Sequence, residues 1–228
     1  MENIEKHTSH RYDQELEELY SRLIAMGAKV EKMISDSIDA LVNRDVELAN
    51  KVVESDDEID SDEVYIDKLC LSILATRQPV ARDLRFITTA FKIVTDLERI
   101  ADCAVGISTR SIKLSSLPQV KPYEDIPRMA ELAKSMIREV IDAFLNGDTD
   151  KAREVCGRDG EIDELNHRVI KDLLPFMIAD ESTIKAGFYI QAVAKLLERI
   201  GDHATNIAEQ VVFMVEARDI RHSGSTDE

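Results

Sequence analysis

Residues 97–102 have the sequence LERIAD, and residues 197–202 repeat it as LERIGD. The repetition extends upstream, because Glu58-Ile59-Asp60 returns 103 positions later as Glu161-Ile162-Asp163. About a dozen positions match in the same order, which is improbable by chance and indicates an internal repeat. The offset falls from 103 to 100 before the LERI segments, so the second copy has lost three residues. The sequence therefore predicts two homologous units that share one fold.

Each unit is predicted to contain three long helices. From Leu16 to Met33, apolar residues recur at alternating spacings of three and four, which predicts a first helix over about residues 13–43. A second helix is expected to begin at an N-cap residue, Asp45, and to run to about Thr76. Its apolar face is a seven-residue series formed by Val52, Ile59, Ile66 and Ile73.

The third helix is expected to follow Pro79. Its inward-facing residues are predicted to be Leu84, Ile87, Phe91, Val94 and Ala101. Helices of about 30 residues favour long packed bundles over a globin-like arrangement. Three of the five prolines lie in residues 118–127, which indicates a linker between the units. We predict an all-α fold of two homologous three-helix bundles: a first repeat over residues 1–112, a proline-rich linker over 113–127 and a second repeat over 128–228.

The composition excludes several classes of partner. The chain has 228 residues with 45 acidic and 29 basic side chains, a formal net charge of −16, which argues against nucleic acid or anionic lipid as a partner. No apolar run is long enough to span a membrane, and the N-terminus lacks the apolar core of a signal peptide. The three cysteines show no CxxC spacing, which is typical of a protein in the reducing cytoplasm. We therefore predict a cytoplasmic protein.

Pairs of acidic residues recur at matching positions of the repeat. Glu98 and Asp102 are four residues apart, as are Glu198 and Asp202, so each pair lies on one helix face with Cβ atoms about 5–6 Å apart. The preceding helix of each unit carries a second pair at the same spacing. If those helices are antiparallel, each bundle brings four carboxylates together. The predicted metal ligands are Glu98, Asp102, Asp56 and Asp60 in the first unit and Glu198, Asp202, Asp159 and Asp163 in the second.

Surface ion pairs are the alternative explanation of these acids. Arg99 lies three residues from Asp102, and Arg199 lies three residues from Asp202. A partly buried acid cluster without a cation must protonate or destabilise the bundle, which favours metal binding. Carboxylates suit Mg, Ca, Mn or iron and disfavour structural zinc. His203 follows Asp202 directly and is predicted to be a polar neighbour of the site and not a ligand.

The two predicted sites are not expected to be equivalent. Asn206 and Glu209 extend the acidic face of the second unit, where the first unit has Gly106 and Thr109.

Catalytic motifs are scarce. A ferritin-like di-iron oxidase needs two Glu-x-x-His motifs, and only Glu164 and His167 have this spacing. The sequence has no Gly-rich phosphate loop, no GxSxG and no HExxH. The cysteines Cys70, Cys103 and Cys156 lie in helical patterns and are predicted to be small apolar residues in the core. We therefore predict that the protein is not an enzyme.

Taken together, these motifs resemble those of the PhoU family of phosphate-specific transport accessory proteins. The resemblance rests on residues 96–102 and 197–207, and it covers nearly the whole chain. Supporting stretches are Met26-Gly27, Arg77-Gln78-Pro79, Asp83-Leu84-Arg85 and Asp219-Ile220-Arg221-His222. It implies two three-helix bundles and a cytoplasmic regulator that represses the phosphate-starvation response and phosphate uptake when phosphate is plentiful.

The resemblance also implies partners and metals. The partners are the ATPase subunit of a phosphate ABC transporter, a sensor histidine kinase and a second copy of the chain in a homodimer. The metal ions are Fe, Mn, Mg or Zn, bound by Glu98, Asp102, Glu198 and Asp202 with the four aspartates of the preceding helices as co-ligands. Ala101 and Gly106 depart from the fuller family motif, which implies a less complete first site. A docking module that uses no metal is the second hypothesis.

Overall fold

The computed structural model describes the backbone of residues 2–218 and the side chains of residues 10–218. The segment 219–222, used above for the resemblance, lies outside the described residues, with the rest of the chain to residue 228. The described part is helical and contains no strand, which confirms the predicted all-α class. The helices are α1 (Glu2–Asn43), α2 (Val46–Glu54), α3 (Asp56–Arg77), α4 (Ala81–Ser115), α5 (Asp125–Asn146), α6 (Thr149–Gly157), α7 (Asp159–Ala179) and α8 (Ile184–Glu216), with a short 3-10 turn at Glu181–Thr183.

Each unit has three helical rods, and the middle rod is interrupted once. The interruption falls at Ser55 between α2 and α3 and at Arg158 between α6 and α7, which are equivalent positions of the repeat. The prediction of one continuous helix from Asp45 to Thr76 is therefore wrong at Ser55. The Ser55 hydroxyl donates to the backbone carbonyl of Val52 at 2.8 Å, in competition with helical hydrogen bonding. Acidic residues then begin α3, where the free amides of a helix N-terminus favour negative charge.

The N-cap predicted at Asp45 is confirmed, and Asp148 has the same role at the equivalent position of the second unit. The Asp45 carboxylate accepts the backbone N–H of Leu48 at 2.9 Å, and Asp148 accepts that of Lys151 at 3.0 Å. Each carboxylate satisfies one of the amides that a helix start leaves without a helical partner. The start of the middle rod is thus determined by one side chain at the same repeat position.

The core follows the predicted apolar series with one exception. The seven-residue series on α2 and α3 is buried throughout, at Val52, Ile59, Ile66 and Ile73. On α4, Ile87, Val94 and Ala101 are buried and Phe91 is half-buried, but Leu84 is 41% exposed and its prediction as a core residue is wrong. Leu84 lies in the first turn of α4, where Phe86 packs inward instead and stacks on Tyr20 and Phe144. The helix α1 also begins earlier than predicted, at Glu2 instead of about residue 13.

The two units pack against each other along α4 and α8, which run antiparallel. Contacts along this pair join Lys92 to Gln210, Asp96 to His203, Gly106 to Leu196 and Lys113 to Tyr189. Residue numbers rise along α4 as they fall along α8, so the segments LERIAD and LERIGD both lie near the middle of the pair. The helices α1 and α5 also pack antiparallel, with Arg138 Nη2 2.6 Å from Glu31 Oε2 and Lys134 Nζ 3.3 Å from Ser35 Oγ. The two units are therefore related by an approximate two-fold axis near these segments.

The connection between the units is short. The residues between α4 and α5, 116–124, are not helical, a narrower stretch than the predicted linker 113–127. The division into two domains stays a prediction, since α4 and α8 join the two units along most of their length. No helix within residues 2–218 is both long and apolar enough to cross a lipid bilayer.

We expect the N-caps to contribute measurably to stability. Replacing Asp45 or Asp148 by Ala leaves a backbone amide without its acceptor and should lower the free energy of unfolding by about 1 kcal/mol at each site. Urea unfolding followed by circular dichroism measures this. Asn at the same positions keeps an acceptor oxygen and should retain most of the stability. An equal loss in the Asn and Ala variants would contradict the capping role.

Candidate metal centre

The acid pairs of α4 and α8 lie at the edge of the core. In each pair the glutamate is mostly buried, with side-chain exposures of 17% for Glu98 and 14% for Glu198. The aspartates are more exposed, at 47% for the side chain of Asp102. Each glutamate comes directly after a fully buried leucine, Leu97 or Leu197. Each pair therefore extends from the core boundary to solvent.

The structure brings the α3 pair next to the α4 pair. Burial raises the pKa of Asp56, and the negative charges of Asp60 and Asp102 raise it further. Burial likewise raises the pKa of Glu98, followed by the charge of Asp102 and by smaller effects of Glu63 and Asp60. These mutual effects operate only over short distances. The four predicted ligands of the first unit thus form one cluster of carboxylates.

The second unit repeats this arrangement. Burial raises the pKa of Asp159, and the charges of Asp163 and Glu198 add to the shift, while a hydrogen bond from the Thr205 hydroxyl at 3.4 Å opposes it. Burial also raises the pKa of Asp202, followed by the charges of Glu198 and Asp159. The four predicted ligands of the second unit are therefore close together as well.

Two further acids belong to the first cluster and were missed by the sequence analysis. Glu63 and Asp67 follow Asp60 on the same face of α3, and burial raises the pKa of both carboxyl groups. The charges of Asp67 and Asp60 raise the pKa of Glu63 further. The four acids from Asp56 to Asp67 are spaced by four, three and four residues, and this spacing on one helix face can be read from the sequence. Glu63 and Asp67 do not stand out when the two repeats are compared, because the second copy has Asn166 and Ile170 at the equivalent positions.

The two clusters differ, although not only in the way predicted. Asn206 and Glu209 were expected to make the second cluster richer, whereas α3 adds two acids to the first. In the second cluster, Asn166 takes the place of Glu63 and its side-chain amide donates to Glu198 Oε2 at 3.5 Å. The side-chain oxygen of Asn166, Oδ1, is buried without a hydrogen-bond partner in the described part of the chain. The second cluster thus has fewer charges and one neutral oxygen donor.

Basic residues neutralise the exposed side of each cluster. Arg99 Nη1 lies 3.3 Å from Asp102 Oδ2, and Arg99 Nε lies 3.3 Å from Glu98 Oε2, which confirms the ion pair expected in the first unit. In the second unit Lys195 pairs with Glu198. The ion pairs of the described residues do not include one between Arg199 and Asp202.

His203 faces the other unit. Its Nδ1 lies 2.9 Å from Asp96 Oδ1 across the α4/α8 contact, as expected for a polar neighbour. The ring therefore links the two units instead of turning towards the acids of α7.

The side chains of the two clusters have the donor atoms that a hard cation prefers, but they are not arranged around a single ion. Asp67 Oδ1 is buried without a hydrogen-bond partner in the described part of the chain, which costs free energy that a bound cation would remove. Glu98 Oε2 is also buried without a hydrogen bond there, and its one neutralising contact is the ion pair with Arg99. Carboxylate oxygens are the donors that Mg²⁺, Ca²⁺, Mn²⁺ and iron prefer. Among the described residues, no three His, Cys, Asp or Glu side chains are arranged to hold one ion. Metal binding therefore requires side-chain rotation, which the exposed aspartates allow.

The cysteines do not contribute reactive thiolates to this region. Burial raises the pKa of Cys70 to about 12 and those of Cys103 and Cys156 to about 11. The three thiols thus stay protonated at neutral pH. Cys70 and Cys103 are buried, as predicted for small apolar residues, whereas Cys156 is only half-buried.

We expect the fold to become more stable as the solution is acidified from about pH 7 to about pH 5. The carboxyl groups with raised pKa are Asp56, Glu63, Asp67, Glu98, Asp159 and Asp202. Because the folded state takes up these protons at higher pH than the unfolded chain, the stabilisation is present at low pH and is lost as pH rises through the raised pKa values. Glu15 and Glu139, whose pKa values are lowered by Arg77 and Arg158, oppose this trend only at lower pH.

Thermal unfolding in the presence of EDTA tests this expectation. Replacing Asp56 and Asp159 together by Asn removes one charge from each cluster, so Tm at neutral pH should rise and its pH dependence should become flatter. Gln in place of Glu164, an exposed residue of α7, is the matched control and should leave the pH dependence unchanged. A Tm that falls equally in all three proteins on acidification would contradict the assignment.

Comparisons with known proteins identify the family of this chain. The PhoU domain model matches residues 23–111 and 126–211, one match in each unit. A phosphate-specific transport system accessory protein PhoU homolog from Pseudomonas putida is 39% identical over 224 residues, covering 98% of this chain and 88% of the relative. The PhoU accessory protein of Escherichia coli is 33% identical over 225 residues, covering 99% of this chain and 93% of the relative.

Solved structures show the same fold. The crystal structure of PhoU from Pseudomonas aeruginosa superposes with a TM-score of 0.85 at 38% identity, covering 91% of this chain and all of that chain (100%). The phosphate transport system regulatory protein PhoU from Streptococcus pneumoniae gives a TM-score of 0.84 at 27% identity, covering 92% and 99% of the two chains. The fold, the two domain matches and these relatives together show that the chain belongs to the PhoU family.

Proposed function

We propose that the protein is an accessory regulator of a phosphate transport system and that it represses the phosphate-starvation response and phosphate uptake when phosphate is plentiful. The observation that carries this proposal is membership of the PhoU family over nearly the whole chain. The names of the relatives describe accessory and regulatory proteins of phosphate transport. The role is that of a cytoplasmic regulator and not of an enzyme.

A chromosomal deletion tests this role. In phosphate-rich medium, the deletion strain should take up more phosphate than the parent and should express a phosphate-starvation reporter that the parent represses. Expression of the intact chain from a plasmid should restore repression. An unchanged reporter and unchanged uptake in the deletion strain would contradict the proposal.

The proposed adaptor binds metal ions through the two acid clusters. Glu98 and Glu198 are the central ligands because they are the least exposed acids of the α4 and α8 pairs. The co-ligands are Asp102, Asp202, Asp56, Asp60, Asp159 and Asp163, to which the structure adds Glu63 and Asp67 as neighbours. Bound Fe, Mn, Mg or Zn ions would neutralise the carboxylates. The side-chain oxygens Asp67 Oδ1 and Asn166 Oδ1, which are buried without a hydrogen-bond partner in the described residues, support this assignment.

Metal analysis of the purified protein tests the clusters. The wild type should retain metal after gel filtration, and a variant with Gln at both Glu98 and Glu198 should lose most of it, because the least exposed ligand of each cluster is then neutral. Added metal should raise Tm of the wild type and not of the variant. The exposed Glu164→Gln variant is the control and should behave as wild type. Equal, near-zero metal in all three proteins would refute the proposed sites.

The proposed partners are the ATPase subunit of the phosphate ABC transporter and the sensor histidine kinase, with a homodimer as the working form. The chain would reach the membrane only through these partners. Pull-down of each partner by the tagged protein tests the contacts, and analytical ultracentrifugation tests the dimer. If the tagged protein captures neither partner at physiological salt, the proposed adaptor role is contradicted.

A docking module that uses no metal is the second candidate function. It is favoured by the finding that no three potential ligands within the described residues are arranged to hold one ion. The two candidates differ in their response to chelation. If metal is needed, EDTA should weaken capture of the partners and lower Tm, whereas a metal-independent module should show neither effect. Oxygen consumption with ferrous iron would instead support a di-iron oxidase.

A further inference from the structure

A cavity of about 480 Å³ opens at one end of the molecule, far from the acid clusters. It lies where the start of α4 meets α1 and the ends of α5 and α8. Arg82 and Arg85 line it from α4, and Gly147 lines it from the end of α5. Arg85 precedes Glu98 by 13 residues on the same helix, a rise of about 20 Å. We call this space the end cavity.

One residue in the wall of the end cavity differs between the two repeats. Gly147 is equivalent to Arg44, and both end their helix in the left-handed conformation, at φ 66° and 57°. The Arg44 guanidinium fills the space at its end of the molecule and donates to the carbonyl oxygens of Leu114, Ser115 and Leu117 at 2.9, 2.7 and 2.6 Å. Gly147 has no side chain to occupy the corresponding space, so the space stays open.

Arg85 compensates for the missing guanidinium in part. Its Nε donates to the carbonyl oxygen of Met214 at 2.7 Å, and Met214 is the repeat equivalent of Leu114. One backbone carbonyl group at the end of α8 thus accepts a hydrogen bond from a side chain of α4. Because this bond uses Nε, the two Nη groups of Arg85 remain available at the cavity wall.

The end cavity carries an excess of positive charge. In the described part of the chain, neither Arg82 nor Arg85 forms an ion pair with a carboxylate. The one acid in the wall, Asp83, accepts a hydrogen bond from the Tyr12 hydroxyl at 2.9 Å. In a protein of net charge −16, two guanidinium groups on one wall are a local site for an anion. Guanidinium is a planar donor that matches phosphate and carboxylate oxygens in a bidentate manner.

The remaining wall is apolar. Leu16 and Met214 line it, and Tyr20, Phe86 and Phe144 form a stack with centroid distances of 4.5 and 4.9 Å. The volume lies in the range of small-molecule sites and is far larger than an inorganic phosphate ion needs. A ligand of this site must therefore combine an anionic group with an apolar body.

We propose that the end cavity binds a small organic phosphate of the size of a nucleoside monophosphate, with its phosphoryl group on Arg82 and Arg85 and its flat part against the apolar wall. The site involves none of the carboxylates proposed to bind metal. It would give the protein a second input that is independent of the acid clusters.

Isothermal titration calorimetry with AMP in EDTA tests the proposal, and EDTA keeps the metal question separate. The wild type should bind one AMP per chain, with adenosine and inorganic phosphate each at least about tenfold weaker because each lacks one half of the recognised chemistry. Arg82→Gln should weaken AMP binding by about tenfold or more. The control is Arg128→Gln, which removes the same charge from a side chain that is 70% exposed elsewhere, and it should bind as wild type.

A second variant tests the location independently of charge. Gly147→Met places an apolar side chain in the end cavity and should abolish AMP binding. A side chain at φ 66° strains the backbone, but the variant should still fold, because Arg44 adopts the same conformation in the first repeat and a Cβ at Gly147 meets only Val215 Cγ2, at 3.5 Å. Circular dichroism checks the fold. Absence of AMP binding to the wild type, binding unchanged in both variants, or inorganic phosphate binding as tightly as AMP would each overturn the proposal.

Discussion

The antiparallel packing of α4 against α8 is the contact on which the rest of this structure depends. It is made from the same helix of each repeat, so it relates the two units by an approximate two-fold axis. Gly106 of α4 lets Leu196 of α8 come within a distance that a Cβ would obstruct. The Asp96–His203 contact then joins the two helices through polar groups. Close packing here leaves little freedom for either unit to rotate against the other.

This packing also determines where the acids lie. Because α3 and α7 flank the central pair, their aspartates face the acid pairs of α4 and α8, and burial raises the pKa of members of both clusters. Such clusters reduce the stability of the fold at neutral pH, when the carboxylates are charged. At the end of the molecule the same symmetry is broken, since Gly147 stands where the first repeat has Arg44. The symmetric part of the fold thus concentrates negative charge, and its asymmetric part leaves a positively charged cavity.

Much of the fold was predictable because it depends on local patterns. The series Val52, Ile59, Ile66 and Ile73 indicated a buried helix face, and Asp45 marked a helix start, since both effects act within a few residues along the chain. The break at Ser55 was not predictable from periodicity, because the apolar series continues through it in register. Leu84 was wrongly predicted to be a core residue, because the periodicity of one helix does not show where a neighbouring helix stops covering it. Glu63 and Asp67 escaped notice because the second repeat lacks acids at these positions.

The sequence by itself determined the helical class, the repeat and the positions of eight acids, because helix periodicity and internal similarity are properties of the chain. It also carried the resemblance that the comparisons confirmed at the level of the family. Only the tertiary structure decided which acids meet, which oxygens are buried without a partner and where a cavity opens. Those properties depend on how two units pack side by side. The pairing of α4 with α8 arises from contacts between residues about one hundred positions apart, and helix periodicity carries no information about such contacts.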